Sequence, residues 1–180
     1  LWIDPKVYQP ALDQPIVADI FNGENFAGNH LVYLPRLFDR FEIIAEKSQA
    51  TVKSRLGNRP ALSQPSLGDG LHIVVYQSKP DTLKYASFEK FRSFAVHKGV
   101  ADIEAKHTAR GLGRGKFTEV YTRFSKSLVG VGGAQGADRR VGLTAELVAL
   151  ENPYTDNTAD GVDVQLFYRD VIRAGAQIEL

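Results

Sequence analysis

The feature that most constrains the fold is the run over residues 117–154, FTEVYTRFSKSLVGVGGAQGADRRVGLTAELVALENPY. It alternates from Tyr121 to Val131, breaks at a Gly-rich loop over 130–136, resumes over 143–150 and stops at Asn152-Pro153. Alternation with a period of two places side chains on opposite sides of a strand, so one face can be buried and the other wet. Two such runs separated by glycines read as two strands of a β-sandwich joined by a loop.

A pair of strands cannot bury enough surface alone, and the chain supplies more. Residues 16–21 set Ile16, Ala18 and Ile20 on one face. Residues 41–45 and 51–56 read as strands of one hairpin. Residues 71–77, LHIVVYQ, are β-branched and aromatic, and Gly70 and Pro80 bound them. Residues 1–8 alternate weakly, with Pro5 pointing to an edge or a bulge. Residues 22–29 and 57–70 carry the Gly, Pro and Asn of loops, and 82–85 continue the sheet.

The period changes in the middle. Phe88, Phe91, Phe94 and Ala95 recur at helical spacing behind Ser87, a good N-cap, and Gly99 ends the run. A second short helix is expected over 101–109, with Gly111 as its stop. The expected fold is mainly β: a sandwich with a two-helix insertion at about 87–110. The sandwich spans 1–156, and 157–161 link it to a further segment. In that segment Val162, Val164, Leu166 and Tyr168 alternate, a turn falls near 173–175, and Ala176, Ile178 and Leu180 begin a return strand. Residues 161–180 therefore read as the start of a second small β-domain, truncated in this sequence.

Charge narrows the partners. Lys+Arg number 22 and Asp+Glu 21, for a net charge of +1, which offers no broad basic surface to nucleic acid. Cysteine is absent, which excludes disulfides, thiolate metal sites and a Cys nucleophile. Methionine is absent too, including at position 1, so the chain is expected to begin inside a longer precursor with any signal peptide already removed. No run of 18 apolar residues occurs that would span a membrane as a helix.

Few side chains suggest chemistry. The glycines at 111, 113 and 115 and those over 130–136 match neither the dinucleotide fingerprint nor the GK[ST] ending of a phosphate loop. They read as loops that need positive φ. No GxSxG elbow is present. The histidines, His30, His72, His97 and His107, lack HxH, HxxxH or HExxH spacing. His72 shares a face with Val74 and Tyr76 and reads as a satisfied core histidine. His97 and His107 each lie near the end of a helix, where an imidazolium complements the dipole. If the two helices form a hairpin, these two can also converge. With Asp102 or Glu104 they would make a nitrogen/oxygen site suited to cobalt, nickel or zinc. Glu119, Tyr121, Arg123 and Lys126 form the densest polar group. Alternation puts the first three on one face and turns Lys126 to the side of Phe124 and Leu128. That group is either a structural ion pair or an anion pocket.

In order along the chain, LWIDP, GENFAGN, GLHIVVYQSKP, FEKFRSFAVHKG, HTARGL, FTEVYTRFSKSLVGVG and VGLTAELVALENPY together resemble a bacterial secreted family of unknown function. That family is described as the periplasmic component of cobalt- or nickel-uptake transporters. The resemblance implies an immunoglobulin-like or prealbumin-like sandwich with a helical insertion, followed by a further small β-domain. It also implies a periplasmic location, a cobalt or nickel ion as cargo, and membrane transporter components as partners. It further implies a histidine just before the LW opening, whereas this sequence starts at Leu1.

Three functions follow as expectations. The first is a non-catalytic metal-binding accessory or solute-binding component of a cobalt/nickel uptake system, using His97 and His107. The second is a β-sandwich binding or adhesion module for a glycan or protein, with Trp2, Tyr8, Tyr33 or Tyr154 exposed. The third is a metal-dependent enzyme, for which spacing supplies no acid/base pair or triad.

Overall fold

Alternation decides which side of each strand meets the core. In the computed structural model, which describes residues 1–178, thirteen strands and two helices follow one another. The first three strands are β1 (Trp2–Pro5), β2 (Ile16–Glu24) and β3 (Ala27–Leu31), and β4 (Phe38–Ile44), β5 (Gln49–Thr51) and β6 (Leu62–Gln64) come next. β7 (Gly70–Ser78) and β8 (Asp81–Tyr85) precede helices α1 (Phe88–His97) and α2 (Ile103–Ala109). β9 (Phe117–Tyr121), β10 (Phe124–Val131), β11 (Ala145–Ala149), β12 (Val164–Tyr168) and β13 (Val171–Ile172) complete the order.

Two four-stranded antiparallel sheets make the sandwich. One runs β1-β2-β3 with β6 also paired to β2, and the other runs β10-β7-β4-β5. Their inward residues merge in one cluster: Ile3, Ile16, Ala18 and Ile20 from the first, and Phe41, Ile43, Val74, Tyr76, Val129 and Val131 from the second. Each fully buried aliphatic or aromatic side chain contributes about 1.5–3 kcal/mol by leaving water. The opposite face of the second sheet is covered as well. There Ile44, Ile73 and Val75 pack with Leu143, and Phe124, Leu128 and Val141 close the rim. Burial on both faces explains why LHIVVYQ is an almost unbroken apolar run.

The mainly β sandwich with a two-helix insertion is therefore present, with differences of detail. The run expected from Tyr121 starts at Phe124 as β10, and the run over 143–150 gives β11, which pairs in a separate three-stranded sheet rather than in either four-stranded one. Residues 22–29, expected as a loop, are the last third of β2, a two-residue turn and most of β3. Their glycines serve pairing: Gly23 faces Gly28 across the ladder, and a Cβ on Gly23 would collide with the Ala27 carbonyl. Residues 57–70, also expected as a loop, include β6, which pairs with Ile16–Ala18 of β2. The return expected over 51–56 is shorter, because only Gln49–Thr51 pairs with β4. The turn expected near 173–175 is present at Ala174-Gly175, but an earlier one at Arg169-Asp170, both at positive φ, is what closes the hairpin onto the short β13. Residues 176–178 form no strand, and Leu180 lies outside the described residues.

β12 pairs with β11 in register, Leu147 opposite Leu166, so the segment after 161 extends a sheet begun at Ala145. By contact density the chain divides into two units. One comprises residues 1–79 and 123–174; the other comprises 80–122 and the described residues after 174. The second unit is wider than the two helices, because they bring their own ribbon, β8 paired with β9. Its interior is aromatic: Tyr85, Phe88, Phe91, His107 and Phe117 have ring centroids 5.0–5.9 Å apart. Ser87 caps α1 by accepting the Lys90 N–H, as its position before the apolar repeat implied.

Candidate functional site

The expected metal ligands stand in different surroundings. His107 is buried among Phe88, Phe91 and Phe117, and its Nε2 lies 2.9 Å from the Gly113 carbonyl. His97 is exposed at the end of α1. Glu104 pairs with Arg114 at 2.5 Å, and Asp102 is exposed at the start of α2. No group of three or more His, Cys, Asp or Glu side chains suited to a metal occurs among the described residues.

The polar group at 119–126 is divided between the two units. Glu119 and Tyr121 lie on β9. Glu119 accepts from the Tyr85 hydroxyl at 2.7 Å; burial, reinforced by this carboxylate, pushes the Tyr85 phenol well up. The Tyr121 hydroxyl donates to Asp81 at 2.9 Å. Arg123 sits just before β10, and its N–H donates to the Ser78 hydroxyl at 2.9 Å. Lys126 turns to the Phe124 and Leu128 side, as its alternation implied, and there meets two buried carboxylates. Its ammonium lies 2.8 Å from Asp138 and 3.0 Å from Glu146. Glu146 also accepts the N–H groups of Val141, Gly142 and Leu143, so the loop before β11 is folded around this carboxylate.

The rest of that loop is tied down by the Asn152-Pro153-Tyr154 stop. The Asn152 amide donates to the carbonyls of Ala134 and Gly136, both at 2.8 Å. The Tyr154 hydroxyl donates to the Leu128 carbonyl at 2.6 Å, and burial pushes its pKa up to about 12. Gly130 is required there, since a Cβ would run into Ala134 and the Tyr154 ring. His72 is fully buried and satisfied: its Nδ1 lies 2.9 Å from the Gly70 carbonyl, and its Nε2 accepts the Leu67 N–H at 3.0 Å. Tyr33 and Tyr154 are thus structural, whereas Tyr8 is exposed.

Of the outer face of β1-β2-β3, sequence reasoning named only Trp2, which is half-buried, and missed the rest. Trp2, Phe21 and His30 stand in one cross-strand row. Trp2 stacks on Phe21 at 5.2 Å, and Phe21 meets the His30 ring at 4.0 Å. At the hairpin tip Phe26 sets its ring edge-on to Trp2 at 5.8 Å yet remains 81% exposed. Asn25 and Phe26 both have positive φ, 51° and 55°. Such a turn favours Asn-Gly, and a bulky residue there is strained. One rung below the aromatic row Asp4 faces Asp19. Asp19 is 3% exposed; its Oδ2 takes Lys6 at 2.5 Å and lies 3.6 Å from the His30 Nδ1. Its Oδ1 is buried without a hydrogen-bond partner among the described residues. The available signal was the symmetry of NGENFAGN: four residues between glycines that face each other, the middle two forming the turn.

No curated protein and no solved structure matches the chain. A family model does, over residues 1–180, and the chain belongs to that family, a domain of unknown function (DUF4198).

Proposed function

We propose that this chain is a non-catalytic binding domain that presents the β2–β3 hairpin and the outer face of β1-β2-β3 to a protein partner. Phe26 carries the reading. A large apolar ring is held in solvent by a backbone conformation that disfavours any side chain, and strain of this kind is kept where function needs it. Beside it, β3 is an edge strand with four of its five residues exposed. An edge strand offers main-chain groups to another extended chain. A protein suits the site better than a glycan, because Phe21 covers one face of Trp2 and the Phe26 edge approaches it as well.

Site-specific photo-crosslinking in producing cells tests this. A benzoylphenylalanine at position 26 is expected to trap a discrete protein adduct, and the same group at Leu56, which is 72% exposed, is not. Equal labelling from the two positions would sink the reading.

The cobalt- or nickel-uptake role implied by the family resemblance, with its periplasmic location, is a second reading. One observation favours it: His30 and Asp19 place an imidazole nitrogen beside a carboxylate with an oxygen to spare, a nitrogen/oxygen pairing suited to these ions. Isothermal titration with cobalt(II) and nickel(II) decides it. Binding weakened by His30→Ala supports the role at this face, and weakening by His97→Ala or His107→Ala moves it to the helices. Absence of binding tighter than millimolar removes it.

A further inference from the structure

We propose that Lys126 and Asp138 condense into an intramolecular amide cross-link, with Glu146 relaying the proton. All three side chains are buried, at 10%, 3% and 0% exposure. The Lys126 Nζ lies 2.8 Å from Asp138 Oδ1 and 3.0 Å from Glu146 Oε1. On the same face of β10, Phe124 and Leu128 flank the lysine and pack on Ile44, Ile73, Val75 and Leu143. Nucleophile and electrophile are therefore held in near-attack range in a site that excludes water, where a fixed geometry replaces a collision.

The atoms balance without a co-reactant. Nζ attacks Asp138 Cγ; the Nζ–Cγ bond forms and the Cγ–Oδ1 bond breaks. Two of the three ammonium protons leave with Oδ1 as water, and the third stays on the amide nitrogen. Glu146 Oε1 takes the first proton from Nζ and passes it to Oδ1, and ends as it began, a carboxylate. Asp138 Oδ2 becomes the amide carbonyl. It already accepts the Ala149 N–H at 2.9 Å, a donor placed where negative charge builds in the tetrahedral intermediate.

Loss of Oδ1 frees only the Arg139 N–H, which donates to it at 2.7 Å on the exposed side of the site, where water can replace it. Glu146 retains the N–H groups of Val141, Gly142 and Leu143 after the cation is gone, so no buried acceptor is orphaned. The new amide N–H can turn to the carbonyl of Arg139 or Leu147, which the ammonium already reaches at 2.9 Å and 3.0 Å. The bond would staple β10 to the loop that precedes β11, inside one unit of the chain.

The intact mass of the purified full chain, measured under denaturing conditions, tests this whether or not a variant folds. The wild type is expected to be lighter than its sequence by one water, and proteolysis is expected to release a branched peptide joining Lys126 to Asp138. Lys126→Arg, which keeps the ion pair, is expected at full sequence mass, as is Glu146→Gln. A wild-type mass equal to the sequence overturns the proposal and leaves an ordinary ion pair. A water loss that persists in Lys126→Arg also overturns it, by placing the dehydration elsewhere. Full water loss in Glu146→Gln would overturn the relay assigned to Glu146.

Discussion

At the scale of single residues, two conformations set testable energies. Phe26 lies in the left-handed region, which costs a non-glycine residue roughly 1–2 kcal/mol. Phe26→Gly relieves that strain but loosens the unfolded chain by about 0.4–1 kcal/mol and gives up the edge contact with Trp2. Stability in urea is expected to stay level or rise by up to about 1 kcal/mol, while adducts trapped from a neighbouring probe at Asn25 are lost. A fall well beyond that size would make Phe26 a packing residue and weaken the binding reading.

His72 gives a pH dependence of definite sign. Burial lowers its pKa more than the Gly70 carbonyl and Asp69 raise it, so the fold favours the neutral ring. The unfolded chain takes up a proton as pH falls through about 6.5 and the folded chain does not. The stability contribution is therefore complete above that pH and is lost progressively below it. The urea midpoint should fall between pH of about 7.5 and about 5.5. His72→Phe should flatten part of that slope while lowering stability overall, because the Leu67 N–H loses its acceptor. An unchanged slope in the variant would assign the dependence to the other histidines.

At the scale of elements, the second unit stands on a few aromatic rings rather than on a sheet. Phe88 is buried there, against Phe91 and His107. Removing such a ring costs about 3–5 kcal/mol in a full-sized core. Phe88→Ala is therefore expected to speed hydrogen exchange over 80–122 and to leave β4, β7 and β10 protected. Uniform acceleration along the whole chain would contradict the division into units.

The elements also show what could be read from sequence. β7, β10, α1 and the Asn152-Pro153-Tyr154 stop were legible because period, cap and breaker agreed. β3 and β6 were not. The glycines at 23 and 28 look like loop punctuation until they are seen to face each other, and β6 has only three residues. The candidate site was less legible than the fold. Lys126 was placed on the correct face, but Asp138 and Glu146 meet it only through loop closure, which no spacing rule encodes. Asp19 and His30 meet through strand register, as do Trp2 and Phe21, and His107 turns into an aromatic interior while His97 stays exposed.

At the scale of the whole molecule, the second unit is inserted between two strands that pair with each other. β7 ends at Ser78 and β10 begins at Phe124, with Gln77 opposite Phe124. Beyond that rung the Ser78 N–H donates to the Arg123 carbonyl and the Arg123 N–H to the Ser78 hydroxyl, both at 2.9 Å. The chain thus leaves and re-enters the sandwich at the two ends of one hairpin. Replacing residues 80–122 by Asn-Gly leaves a three-residue connection with Lys79, a length that antiparallel strands accept. The core cluster of the sandwich draws none of its residues from the excised part. The shortened chain is expected to fold cooperatively, with the amide dispersion of a β-sandwich. It should keep the crosslinking behaviour of position 26, because β1, β2 and β3 belong to the retained unit. Failure of the shortened chain to fold would show that 80–122 complete the sandwich core. A folded chain that no longer forms the position-26 adduct would move the binding surface to the helical unit.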